Sequence, residues 1–382
     1  MARVPYLDCA ATTQVDPRVA ELVMRFMVEE FGNAGSRTHT YGAAAQREVN
    51  SARERIAATL AASPEEIIFT SGATESDNLA ILGLAEAGLE SGRRHIVTTA
   101  IEHKAVLEPV EHLKTRGFDA TLVCPDRLGH VAAGEVLGAV RPDTLLVSVM
   151  HANNETGALQ PVDAIAEGLA NLGDGDGPYF HVDAAQSYGK ETGELRNTRI
   201  DLISISGHKV FAPKGVGALL ARRRRGRRPP LRPLMHGGGQ ERGLRPGTLP
   251  VPLIAGLGLA AELAEAERAE RARACRRIRA AALEAFAPLA PVVHADPSRV
   301  LPNILSIAFP GLDAEALMVA LKDMAAVSNG SACTSERYSL SHVLEAMGLP
   351  SEIVSGTVRM SWSHATPAVP WERIADAIGL MA

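Results

Sequence analysis

Short apolar runs alternate with longer stretches of helical period along most of the chain. Six of the runs, at residues 66–70, 95–98, 120–123, 144–149, 179–182 and 202–205, have the length and composition of buried parallel strands. Helix-like segments separate most of them. This alternation predicts an α/β fold with a mainly parallel sheet wrapped by helices, in which ligands gather where strands end and loops begin. From about Val251 to Ala287 the pattern reads as one long helix rich in Ala, Leu, Glu and Arg, a bridge from a large domain to a smaller one. Residues 291–382 mix short strands with helices and are expected to form that second domain. Residues 174–178 read as a loop tip, and 222–228 as a solvated basic loop closed by Pro229 and Pro230.

Composition narrows the function classes. Of the 382 residues 46% are hydrophobic, enough for a large core, and 39 basic against 44 acidic residues give a net charge of −5. That balance argues against wholesale attraction to nucleic acid or anionic membrane, and no direct nucleic-acid binding is expected. The N-terminus has no apolar leader and no run of about 18 apolar residues occurs, so a cytoplasmic protein with no membrane span is expected. Cys9, Cys124, Cys275 and Cys333 are scattered without a CxxC pair, which fits neither a disulfide framework nor a metal site. A cysteine that acts here acts alone. Two glycine patterns are set aside: Gly256-Leu-Gly-Leu-Ala-Ala261 has no strand before it and reads as helix packing, and Gly237-Gly-Gly239 lacks the lysine of a P-loop.

Candidate chemistry sits at strand ends. Lys209, in Ser204-Ile-Ser-Gly-His-Lys209, follows an apolar run, where desolvation would favour a reactive amine; an ordinary surface lysine is the alternative. Asp183, in His181-Val-Asp-Ala-Ala-Gln186, supplies a carboxylate at a second strand end, 26 residues earlier. An acidic partner keeps a pyridinium nitrogen protonated and so makes the ring an electron sink, the requirement of pyridoxal phosphate (PLP). A buried aspartate satisfied by backbone amides remains the other reading. Thr70-Ser-Gly-Ala-Thr-Glu-Ser-Asp-Asn78, between a strand and a helix start, could be a phosphate cup or a helix cap without a ligand.

These motifs, together with Glu102-His-Lys104, His151-Ala-Asn-Asn-Glu155, Gly237-Gly-Gly-Gln-Glu-Arg-Gly243 and Gly330-Ser-Ala-Cys-Thr334, resemble the cysteine desulfurase family of aminotransferase class V. The resemblance runs in order from Tyr6 to Arg359. It implies a fold-type I PLP enzyme with a seven-stranded sheet, residues 14–255 forming the large domain and residues 1–13 with 256–382 the small α+β one. It further implies that Lys209 holds PLP covalently through its amine, Asp183 pairs with the ring nitrogen and His103 stacks on the ring and helps move protons. Gln186 and Asn154 would reach the phenolic oxygen. Ala73, Thr74, Ser206 and His208 would hold the phosphate, with Thr248 contributed by the second subunit of a homodimer. Arg359 would grip the carboxylate of L-cysteine, as a planar guanidinium can do bidentately, with Asn154 and Asn33 also at the substrate.

Cys333 lies among small polar residues and glycine, the composition of an exposed loop rather than a core. The family reaction would place sulfur on it as a persulfide, release L-alanine, and deliver the sulfur to an acceptor protein. The acceptor classes are an iron–sulfur scaffold, a thiolation protein or a DNA-modification protein. Residues 330–348 resemble the desulfurases of DNA phosphorothioate modification. Two departures from the family pattern stand out: Gly32-Asn-Ala-Gly-Ser36 replaces Gly-Asn-Pro-Ser-Ser, and Arg245-Pro-Gly-Thr248 carries proline where serine is common, fixing φ and removing an amide donor beside Thr248.

Overall fold

The computed structural model describes residues 4–172, 177–329 and 340–381. Its main sheet contains β1 (Ile67–Thr70), β2 (His95–Thr99), β3 (Asp119–Val123), β4 (Thr144–Met150), β5 (Tyr179–Asp183), β6 (Leu202–Ser206) and β7 (Gly217–Ala221), in the order β1-β7-β6-β5-β4-β2-β3. The β3–β2, β2–β4, β4–β5 and β5–β6 pairs are parallel, whereas β7 is antiparallel to both β6 and β1. Strand β1 therefore runs the same way as β6, and the C-terminal ends of β1 to β6 share one edge of the sheet. The six predicted strands agree with β1 to β6 to within about one residue at each end. Strand β7, Gly-Ala-Leu-Leu-Ala, has little β propensity of its own and is held by pairing on both sides.

Side chains alternate between the two faces of this sheet. Ile67, Val147, Val182, Ile203 and Leu220 join one core with helices Pro17–Val28, Thr40–Thr59, Val162–Asn171 and Val251–Ala266. Ile68, Ile96, Leu146, Leu202 and Leu219 join the other, under helices Ala73–Gly83 and Lys104–Lys114. A third core surrounds the antiparallel sheet β10-β9-β8, made of β8 (Val292–His294), β9 (Ile304–Ala308) and β10 (Thr357–Ser361), with Leu7, Phe286, Trp362 and Trp371.

The long helix expected from Val251 to Ala287 is two helices. Val251–Ala266 and Arg268–Phe286 part at Glu267, whose φ of −100° and ψ of 4° are not helical. Its carboxylate bonds Arg18 from the first helix of the chain and Arg271 one turn on, contacts that hold the break. Gly256 and Gly258 sit inside the first of these helices, as expected of packing glycines. A Cβ on Gly258 would lie 2.5 Å from Ala52 Cα, so glycine sets the close approach of two helices.

The basic stretch 222–228 is only partly solvated, contrary to expectation. Arg222 is buried with its guanidinium on the carbonyls of Leu60, Ala61 and Ile200, two of them at the C-terminal end of helix Thr40–Thr59, where a cation is favoured. Arg224 pairs with Asp201 and lies 4.9 Å from the centre of the Tyr179 ring. Most of the expected loop tip at 174–178 lies outside the described residues. Cys9 and Cys275 are buried and Cys124 is exposed. Among the described residues no helix is long and apolar enough to cross a membrane.

Candidate active site

A cavity of about 470 Å³ opens at the shared C-terminal edge of the strands. Ser71 to Glu75 after β1, His103 after β2, Asn154 after β4, Asp183 and Gln186 from β5 onward, and Ser206, His208 and Lys209 after β6 all line it. Of the residues expected to bind one ligand, ten therefore converge: Ala73, Thr74, His103, Asn154, Asp183, Gln186, Ser206, His208 and Lys209 around the cavity, with Arg359 joined to it through the Asn154 carbonyl, 2.9 Å from Nη1.

The cup forms because β1 runs directly into helix Ala73–Gly83. The first amides of a helix have no intrahelical acceptor and carry a partial positive charge, and Ala73, Thr74 and Glu75 of this first turn line the cavity. The turn is tied down by the Ser71 amide donating to Glu75 Oε2 at 2.9 Å and by Thr70 Oγ1 against Ser76 Oγ at 2.8 Å. Gly217 on β7 lets the turn approach, since a Cβ there would lie 2.6 Å from Gly72 Cα. Arg245 pairs with Glu75 and so fastens the 236–248 loop to the same turn.

Lys209 closes the 3₁₀ turn Gly207–Lys209 that ends β6, and that turn is clamped from outside. Thr13 donates to the His208 carbonyl through its amide (2.9 Å) and its hydroxyl (3.0 Å), and Thr12 Oγ1 meets His208 Nδ1 at 3.1 Å. Residues 7–13 thus form a strap to the lysine from the third core, where the Ser361 amide donates to the Leu7 carbonyl and the Cys9 amide to the Ser361 carbonyl. Burial, with Lys209 and Lys214 nearby, pushes the His208 imidazole down to about 4, so it is neutral at ordinary pH.

Asp183 ends β5 with its carboxylate accepting the Ala185 amide at 2.8 Å. Burial, then repulsion from Asp77, pushes its pKa up to about 6, while the Ala185 amide, His103 and Lys209 pull it back. His103 caps helix Lys104–Lys114, its Nδ1 accepting the Ala105 amide at 3.1 Å; burial lowers its basicity, and the ring is presented neutral with Nε2 carrying the hydrogen. Gln186 donates from Nε2 to the Ala10 carbonyl, and its Oε1 is buried without a partner among the described residues.

Arg359 sits on β10, 2% exposed. Its guanidinium meets Asp8 Oδ1 at 2.7 Å besides the Asn154 carbonyl. Next to it the chain departs toward residue 330: Ser328 bridges Arg359 on the backbone. The chain returns at Ser341, whose hydroxyl donates to Glu155 at 2.5 Å, and His342, whose Nε2 meets the Glu102 carbonyl at 3.0 Å. Cys333 itself, with the rest of Gly330-Ser-Ala-Cys-Thr334, lies outside the described residues.

Asn33 and Thr248 are not brought to this cavity. Both line a separate depression of about 610 Å³ with Gly238 to Arg242. Sequence reasoning missed Asp8, Asp77 and Lys214; the last two line the cavity. Asp77 lies one helical turn beyond Ala73 and Thr74, a period that could have placed it on the same face.

Comparison with known proteins accords with this arrangement. The aminotransferase class-V family pattern matches residues 5–368. The cysteine desulfurase IscS of Pectobacterium carotovorum subsp. carotovorum is 44% identical over 364 residues, 94% of this chain and 88% of the relative. Among solved structures, a NifS-like protein superposes with a TM-score of 0.90 at 37% identity, covering 99% of both chains. DndA from Streptomyces lividans superposes with a TM-score of 0.81 at 52% identity, covering 94% of this chain and 99% of that one. On the strength of that coverage, the chain belongs to the aminotransferase class-V family, among its cysteine desulfurases.

Proposed function

We propose that this enzyme converts L-cysteine to L-alanine with PLP as cofactor and moves the sulfur onto Cys333. The observation that carries the reading is the convergence of Lys209, Asp183 and the amide cup in one cavity. Lys209 would anchor the cofactor through its amine, Asp183 would sit at the ring nitrogen, and the amides of Ala73 and Thr74 with Ser206 and His208 would take the phosphate. The buried Gln186 Oε1, without a partner among the described residues, is an atom that a ligand at this place would satisfy. When bound, PLP supplies an electron sink for charge that develops at the substrate Cα.

The chain's own groups supply the rest. Arg359 takes the substrate carboxylate, held for that purpose by Asp8 and the Asn154 carbonyl. The Lys209 amine would remove the Cα proton, and the neutral His103 imidazole, which lines the same cavity, would accept or return a proton. Cys333 as thiolate attacks the substrate sulfur: a sulfur–sulfur bond forms, the carbon–sulfur bond breaks, and its electron pair stays with the carbon fragment, which is protonated to alanine. The chain flanking residues 330–339 is anchored beside Arg359 on one side and beside Glu102 and Glu155 on the other, which supports a Cys333 loop that works at this cavity.

A homodimer accounts for Asn33 and Thr248, which a partner subunit's cavity would receive. Met24 and Met27 at the end of helix Pro17–Val28, Phe31 beyond it and Tyr41 at the start of helix Thr40–Thr59 lie exposed on either side of Asn33 and would form an apolar face for that partner. For the domains we propose two units, with the strap joining the small one and the boundary at Glu267 rather than after residue 255, because Leu257 to Ala264 pack in the first core and Cys275 onward in the third. A cytoplasmic location fits free thiols at Cys9, Cys124 and Cys275. Among acceptors, the DNA-modification class is favoured by the character of residues 330–348.

The test is an absorbance spectrum with PLP, followed by alanine measured after addition of cysteine. The wild type gives a PLP band and alanine; Lys209→Ala loses both the covalently held band and about 10²–10⁴ in rate, and Cys333→Ser keeps the band but stops sulfur release. Alanine formation by Lys209→Ala at the wild-type rate would contradict the reading.

A further inference from the structure

Beneath the cavity lies a carboxyl that the reaction above does not use. Asp77 is 1% exposed, it lines the cavity floor, and both of its carboxyl oxygens are buried without a hydrogen-bond partner among the described residues. An ionised carboxylate buried in that state costs several kcal/mol, roughly, so in the free cavity the group favours its protonated form. Two polar side chains stand close to it: His181, with Nε2 at 3.4 Å, and Ser204, whose hydroxyl favours the ionised form. That imidazole is occupied on both sides, by Ser148 Oγ at Nδ1 (2.8 Å) and Ser204 Oγ at Nε2 (3.0 Å), and burial holds it neutral, at about 4. His181 therefore offers Asp77 no compensating positive charge.

The other titratable groups facing Asp77 are Asp183 from β5, Glu102 beyond β2 and Lys209 beyond β6. Asp77 and Asp183 repel one another when both are ionised, and Asp183 is the group that would meet the ring nitrogen. Burial pushes Asp77 up to about 7, with Ser204 and Lys209 pulling the other way.

We propose that Asp77 is a positioning residue for the cofactor: it keeps its proton while the cavity is free and releases it to solvent when a cationic ring nitrogen settles against Asp183. The ring charge neutralises Asp183 and removes its repulsion, which leaves burial alone opposing the ionised form of Asp77. Asp77 would then be a second negative charge in the cavity lining, beside Asp183, and would strengthen cofactor binding. This rests on PLP being the ligand of the cavity, as proposed above.

Linkage gives the sign. Where both forms of the protein have Asp77 protonated, a neutral substitute changes nothing; above the pKa of the cofactor-bound form the wild type gains affinity that the substitute lacks. The test is the dissociation constant for PLP of the wild-type and Asp77→Asn chains, by equilibrium dialysis between pH 6 and 8.5. The expected result is equal affinity near pH 6 and a gap widening to about tenfold by pH 8.5, one pKa unit of coupling. Asp77→Ser, also neutral and smaller, must give the same widening gap, which separates charge from shape. A ratio that stays constant with pH in either folded variant overturns the role of Asp77. Failure of the wild type itself to bind PLP at any pH overturns the cofactor reading instead.

Discussion

Arg359 is a buried cation on a strand, compensated by Asp8 on one guanidinium nitrogen and by a carbonyl on another. A planar fork with five N–H groups can keep both contacts and still direct further N–H groups in its plane at a carboxylate, whereas an ammonium acts only as a point charge. Arg359→Lys is therefore expected to raise KM for cysteine by about tenfold or more, with a smaller effect on kcat; steady-state kinetics across cysteine concentration check this, and an unchanged KM would remove Arg359 from the substrate. Lys209 and Asp183 were legible because each ends an apolar run, where a charged side chain has few reasons to be unless it meets a ligand. Asp8 was not, since its partner is 351 residues away and no local pattern marks the pair. Asp77 was hidden for a different reason: within Thr-Glu-Ser-Asp-Asn it reads as one more residue of a helix start, and only the folded chain turns it toward Asp183.

At the level of elements, strands were found from apolar runs because the sheet is covered on both faces, so β1, β2, β4, β5 and β6 are almost wholly buried. Strand β7 lacks β-branched residues and owes its conformation to its neighbours, which no single-sequence pattern could supply. The break at Glu267 was invisible because glutamate is a good helix former; it arises from ion pairs to Arg18 and Arg271 that only the tertiary fold brings together. The packing of helix Val251–Ala266 on Thr40–Thr59 was foreseeable in kind, from two glycines in an apolar helix. Gly258→Ala is expected to destabilise the chain by roughly 1–3 kcal/mol, despite alanine's better helix propensity, because the added methyl meets the backbone of Ala52. A shift of the urea midpoint to lower concentration confirms this, and a rise would show that the two helices can part without cost.

At the level of the whole molecule, each chain gathers nearly all of the proposed site but holds Asn33 and Thr248 elsewhere. Exchange between two subunits makes a specific demand. Lys209→Ala and Thr248→Asp should each be inactive as homodimers, yet refolding them together should restore about a quarter of wild-type activity, because one site of each mixed dimer carries neither change. No restoration would mean that Thr248 does not act across the interface. The central claim, that sulfur from cysteine passes to Cys333, is tested most directly by mass spectrometry of the protein after brief exposure to cysteine without acceptor or reductant. The expected result is one added sulfur on the peptide containing Cys333, with alanine released in matching amount and neither formed by Cys333→Ser. Alanine release with the peptide unmodified, at the same rate in Cys333→Ser, would contradict the account.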